Sequence, residues 1–177
     1  MIACVDVDYR DDAAVAAGLW FEDWEAATAA CRAVATFPPA AAYEPGAFYR
    51  RELPCLLGVL ALGPRAGVVI VDGYVWLGGG AAGLGAHLHA SLGVTVVGVA
   101  KTRYASATDA LAVCRGGGRS PLSVSAVGMA VEEAAALVAA MAGPYRVPTL
   151  LKAVDALART ARGEVRGSAT LDEPPPG

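Results

Sequence analysis

The chain has 177 residues, 55% of them hydrophobic, and a formal net charge of −3. That length supports one well-buried core and is short for two. The small negative charge supplies no long-range field for a polyanion, and no run of about 20 residues is free of charge, Gly and Pro, as a membrane span requires. The N-terminal stretch carries Asp6 and Asp8 where a secretory signal would have basic and then apolar residues, so a cytoplasmic protein is expected. The cysteines Cys4, Cys31, Cys55 and Cys114 lie far apart in apolar stretches with no CxxC or Cys/His spacing suited to zinc, and are read as buried free thiols.

Residues 2 to 9 and 13 to 21 read as two strands of a hairpin about the Asp11-Asp12 turn signal. Residues 26 to 36 are ambiguous, because their alanines favour a helix while Cys31, Ala33, Val34 and Ala35 also suit a strand. Phe37-Pro38-Pro39 ends that element. From Gly46 to Leu62 the residues Leu53, Leu56, Leu57 and Leu60 recur at helical spacing, with Pro54 as a kink. Gly67 to Val71 is a continuous apolar run, the pattern of a strand buried on both faces. The triplet Gly78-Gly79-Gly80 leads to a helix over 81 to 92, and 94 to 99 form another buried strand ending at Lys101. Residues 109 to 114 and 122 to 126 make a further strand pair, and 131 to 141 and 148 to 161 are amphipathic helices. Strands followed by alternating helices and strands predict a mixed α/β sheet. One domain is expected over residues 1–162, with a Pro-rich disordered tail over 163–177.

Three acids stand out: Asp6 inside the first strand, Glu52 on the first helix, and Asp72 where the central strand leaves the sheet. Carboxylates that share one or two metal ions activate water and stabilise the leaving oxygen in phosphodiester hydrolysis. Each acid alone is better explained as a strand-edge, solvated-helix or turn residue. The glycine triplet is followed by no Gly-Lys-Ser/Thr and does not form GxGxxG, which argues against a nucleotide-binding P-loop and for a flexible lid.

Four motifs in order resemble the endonuclease V family: Val5-Asp6-Val7-Asp8-Tyr9, Tyr43-Glu44-Pro45-Gly46 followed by Arg51-Glu52-Leu53-Pro54, Asp72-Gly73 after an apolar strand, and Gly98-Val99-Ala100-Lys101. The resemblance runs from about residue 3 to 160. It implies a ribonuclease H-like fold with an N-terminal antiparallel three-stranded part and flanking helices, which makes residues 26 to 36 a strand. It also implies a Mg²⁺-dependent endonuclease, with Mn²⁺ as a substitute, that cuts DNA or RNA near a deaminated base, chiefly inosine. In that likeness Asp6, Glu52 and Asp72 match the metal-binding acids, and Lys101 a lysine near the scissile phosphate. Tyr43 matches an aromatic wedge that fills the space of a turned-out base. Gly46 permits close backbone approach, and Pro45 and Arg51 belong to the same strand-contacting motifs.

The departures are specific. After Asp-Gly the family continues with His and Gly and then His-Pro-Arg-Arg; here Tyr74 and Val75 follow, and Gly78 takes a catalytic-site histidine's position. Met129 stands where the family presents histidine after glycine, and Asp8 adds a carboxylate on the face of Asp6. His87 matches a helix histidine, and both it and His89 are expected to be structural or surface residues and not ligands. These losses motivate an alternative: a catalytically impaired relative that acts as a nucleic-acid-binding or regulatory module. Oligomeric state is left open.

Overall fold

The computed structural model describes residues 1–38, 49–118 and 120–161. It is a seven-stranded mixed sheet, β1 (Ile2–Tyr9), β2 (Ala14–Phe21), β3 (Cys31–Phe37), β4 (Val68–Asp72), β5 (Thr95–Ala100), β6 (Leu111–Val113) and β7 (Leu122–Val127), in the order β3-β2-β1-β4-β5-β7-β6. The central strands β1, β4 and β5 run parallel, and the strands on either side are antiparallel. Four helices cover it: α1 (Tyr49–Leu60), α2 (Leu84–Leu92), α3 (Val131–Ala140) and α4 (Thr149–Thr160). Among the described residues no helix is long and apolar enough to cross a membrane.

Strand periodicity divides the core in two. Ala3, Val5, Val69 and Val71 face α1 and α2 and pack with Leu56, Val59 and Leu88. Ile2, Cys4, Ile70, Val97 and Val99 face α3 and α4 and pack with Val138, Leu150 and Val154. Val5 is paired with Val71 across the parallel β1–β4 ladder. Both are buried, and the residue after each, Asp6 and Asp72, falls on the α4 side at the carboxyl end of the strands. That end of an open α/β sheet is where ligands bind.

Residues 26–30 are not part of a strand. Asp23 Oδ1 accepts from the Glu25 N–H at 2.8 Å and the Asp23 carbonyl from the Ala26 N–H at 3.0 Å, so a side-chain-stabilised turn delays β3 to Cys31. Helix α2 starts at Leu84, three residues later than periodicity predicts, because Trp76 and Ala82 form a β-bridge around the glycine triplet. That triplet is a closed turn and not a lid: the Leu77 N–H donates to the Ala81 carbonyl at 2.8 Å, and the Ala81 N–H to the Gly78 carbonyl at 3.0 Å. Gly78 has φ +98°, and a Cβ there would lie 1.8 Å from the Ser106 carbonyl oxygen. All four cysteines are free; Cys4 and Cys55 are buried as expected, but Cys31 is only half-buried and Cys114 exposed. The tail expected over 163–177 lies outside the described residues.

Candidate metal centre

Asp72 is the last residue of β4, and Lys101 follows β5, the next strand over. Their side chains meet, Lys101 Nζ donating to Asp72 Oδ2 at 2.7 Å, with both about 40% exposed. On the far side of the ammonium stands Asp155 of α4, 3.8 Å away, itself held by Arg159 at 2.9 Å one helical turn on. Burial alone would lower the Lys101 ammonium; the hydrogen bond and charge of Asp72, with Asp155 and Asp6 behind it, outweigh burial and raise it.

Asp6 is pushed up to about 7, first by burial and then by the charges of Asp72 and Asp155, whose side chain is also hydrogen-bonded to it. The Val7 N–H, 2.9 Å from Asp6 Oδ1, opposes the rise. Glu52 reaches the same place from the first turn of α1 on the opposite face of the sheet. Burial and the charges of Asp6 and Asp72 raise its carboxyl to about 8, with Arg51 partly countering. The fold thus brings together Asp6, Glu52, Asp72 and Lys101, with one further acid, Asp155. Below Asp6, Asp72 and Lys101 the floor is apolar, formed by Ile70, Val99, Leu122, Leu151 and Val154. Carboxylates crowded over such a floor are costly to ionise together, and a hard cation with oxygen ligands relieves that repulsion.

The donor set is thus the all-oxygen chemistry that a hard divalent cation takes. Its side chains do not stand in ligating positions: among the described residues no three His, Cys, Asp or Glu groups are arranged to hold a metal. Asp72 is engaged by the Lys101 ammonium, and Asp6 by Asp155.

Tyr43, Pro45 and Gly46 lie outside the described residues. Arg51 stacks over the Tyr9 ring, 4.4 Å from its centroid, beside Glu52. Asp8 does not load the site with charge. Its carboxylate binds Arg10 Nε at 3.1 Å, and Arg10 Nη2 donates to the Ala158 and Arg159 carbonyls at 3.0 Å each. A guanidinium on the last carbonyls of α4 satisfies orphan acceptors and complements the helix dipole, so Asp8 and Arg10 fasten to β1 the helix that carries Asp155. Met129 packs against the α3–α4 core. His87 stacks on Tyr49 with ring centroids 3.6 Å apart, and His89 Nδ1 lies 2.7 Å from the Val94 carbonyl oxygen, so both histidines are engaged structurally.

Asp155 was not singled out from the sequence. Its one signal is position: Leu150, Val154 and Ala158 form the buried stripe of α4, and Asp155 sits at the edge of it, only 26% exposed. Nor does the sequence pattern mark two arginines that order the backbone here. Arg115, 8% exposed, donates to the carbonyls of Ala139, Met141, Gly143, Tyr145 and Arg146. Arg146 in turn donates to the carbonyls of Lys101 and Pro121, tying the Lys101 backbone to the loop before α4.

A sheet ordered β3-β2-β1-β4-β5, three antiparallel strands leading into parallel ones with acids at their carboxyl ends, is a ribonuclease H-like fold. The chain belongs to the endonuclease V family, whose model matches residues 1–137. Endonuclease V from Streptomyces avermitilis is similar at 27% identity and a TM-score of 0.73, over 89% of this chain and 79% of that one. The catalytic domain of human endonuclease V matches at 24% identity and a TM-score of 0.71, over 89% and 80%. Ciona intestinalis endonuclease V, in complex with a 24mer DNA containing an inosine followed by a ribo-adenosine, shares the fold at 17% identity and a TM-score of 0.74, over 89% and 84%. No curated protein sequence matches the chain.

Proposed function

We propose that this chain is a divalent-cation-dependent endonuclease that hydrolyses a phosphodiester near a deaminated base, inosine, in DNA or RNA. The observation that carries the reading is the approach of Asp6, Glu52 and Asp72 from three separate elements, where Lys101 donates to Asp72 at 2.7 Å, the charge of Asp72 acts on Asp6, and the charges of both act on Glu52. Asp6, Glu52 and Asp72, joined by Asp155, would hold Mg²⁺, with Mn²⁺ as a substitute. The ion, when bound, supplies an acidified water and charge neutralisation at the phosphate.

The chain's own residues do the rest. Lys101 presents a protonated ammonium to a phosphate arriving at the carboxyl ends of β4 and β5, where it offsets developing negative charge. The Arg146 guanidinium on the Lys101 carbonyl holds that backbone in place. Tyr43 is the wedge for a turned-out base, with Pro45 and Gly46 allowing the strand close to the backbone. Arg51, held flat on Tyr9, provides strand-facing charge next to Glu52. The setting we assign is the cytoplasm, and the unit is a single domain over residues 1–162.

The test is cleavage. Single- and double-stranded DNA and RNA carrying one inosine, incubated with excess protein and Mg²⁺ or Mn²⁺, should be cut, and Asp72→Ala should abolish the product. Absence of cleavage from every strand would sink the reading. The second reading, an impaired module, is favoured by one feature: the 74–82 segment contains no charged residue and Gly78 has no room for a side chain. Tight strand binding without cleavage would select it.

A further inference from the structure

Residues 74–82 carry no cation, whereas the loop after β5 carries Lys101 and Arg103. Lys101, Thr102, Arg103 and Tyr104 follow β5 in succession and are all exposed. Tyr104 is 50% exposed, unusual for an aromatic ring beside a charged cluster. The only other large aromatic this open among the described residues, Tyr145, already has the Lys152 ammonium 4.7 Å from its ring centroid.

The loop is fixed in shape from below. Tyr74, two residues after Asp72, donates its hydroxyl to the Thr102 carbonyl at 2.8 Å and accepts the Tyr104 N–H at 2.9 Å. Its ring meets that of Tyr104 at 53°, with centroids 6.2 Å apart, a tilted pair that leaves a Tyr104 face open. Further along, the Ser106 carbonyl occupies the space where a side chain at residue 78 would be. Of the three glycines, Gly78 alone meets this loop, and Gly79 and Gly80 face open space. The result is a solvent-facing ring on a backbone held by Tyr74, with the Arg103 guanidinium between it and Lys101 in sequence.

We infer that the Lys101–Tyr104 loop is the strand-contacting loop of this chain, in which Tyr104 stacks on a nucleobase of the bound strand and Arg103 pairs with one of its phosphates. The inference rests on the proposed nucleic-acid function and adds to it where the strand is held. Stacking on an aromatic ring is indifferent to base identity, since every base has a π-face. An arginine on phosphate fixes register without reading sequence. Tyr74 is a positioning residue: it touches no strand and acts through the backbone of Thr102 and Tyr104.

The experiment is fluorescence anisotropy with a labelled inosine-containing single strand in Ca²⁺, over a range of salt, for the wild type and four variants. Tyr104→Ala should weaken binding about 5- to 150-fold, while Tyr104→Phe, which keeps the ring, should bind as the wild type does. Arg103→Gln should reduce the slope of log affinity against log salt by about 0.7. Tyr74→Phe, which loses both hydrogen bonds but keeps the ring, should fall between wild type and Tyr104→Ala. If the wild type binds and Tyr104→Ala binds equally well, the inference is overturned and the proposed function stands. If the wild type binds no strand at all, the proposed function falls and the inference with it.

Discussion

Replacing Glu52 with Gln should stabilise the cation-free protein at alkaline pH and leave it unchanged in acid. Burial and the charges of Asp6 and Asp72 raise the Glu52 carboxyl from an ordinary 4.5 to about 8. A carboxyl raised in the folded state binds its proton more tightly there than in the unfolded chain. Its contribution is therefore full below pH 4.5 and is lost as pH rises through about 8. At 1.36 kcal/mol per pH unit the span corresponds to a ceiling of about 5 kcal/mol; water reaching this incompletely buried group lowers the expectation to roughly 2 to 4 kcal/mol. Gln has the shape of the protonated acid and cannot ionise. Urea denaturation in EDTA at pH 4, 6, 8 and 9 should show the two proteins level at pH 4 and the variant increasingly more stable above pH 6. Adding Mn²⁺ should reverse the order, because only the wild type gains binding energy from its full ligand set. A wild type that becomes more stable between pH 5 and 8 without cation, or a variant that is nowhere more stable, would refute the reasoning.

Restoring histidine at position 78 should not restore activity. Gly78→His forces a side chain into left-handed backbone at φ +98° and against the Ser106 carbonyl, so a stability loss of at least ~2 kcal/mol is expected by thermal or chemical unfolding. Arg115→Ala should cost about 2 to 4 kcal/mol, since it strands several carbonyls after α3, and Arg115→Lys, without the guanidinium fork, should recover little of it. Asp155→Asn should lower cleavage by tenfold or more while leaving strand affinity intact, as single-turnover and anisotropy measurements together would show. It removes a carboxylate that faces Asp6 and Lys101 and nothing that faces solvent-borne DNA.

Much of the fold was legible because its central strands are apolar runs and its last helix is strongly amphipathic. Val68–Asp72 and Thr95–Ala100 are buried along most of their length, and such runs have few alternatives. The misreadings arose where a polar side chain or a distant contact decided local structure. Asp23 closes a turn that alanine content alone cannot reveal. The Trp76–Ala82 bridge takes up the first residues assigned to α2. Asp8 shares the face of Asp6 because a strand has a period of two, but its partner Arg10 bonds to a helix about 150 residues away in sequence. Asp155 was invisible for the converse reason. It belongs to no motif, lies beyond the span matched by the family model, and becomes significant only when α4 is laid across β1 and β2.

The central claim is that Asp6, Glu52 and Asp72 form one cation site, and calorimetric titration with Mn²⁺ near pH 6.5 tests it most directly when run in buffers of different ionisation enthalpy. With carboxyls at about 7 and about 8, both Asp6 and Glu52 are largely protonated at that pH and must ionise to ligate. Saturable binding that releases at least one proton, and that is lost in Asp6→Asn and Glu52→Gln, is the predicted result. Absence of saturable binding, or binding that survives both substitutions unchanged, would contradict it.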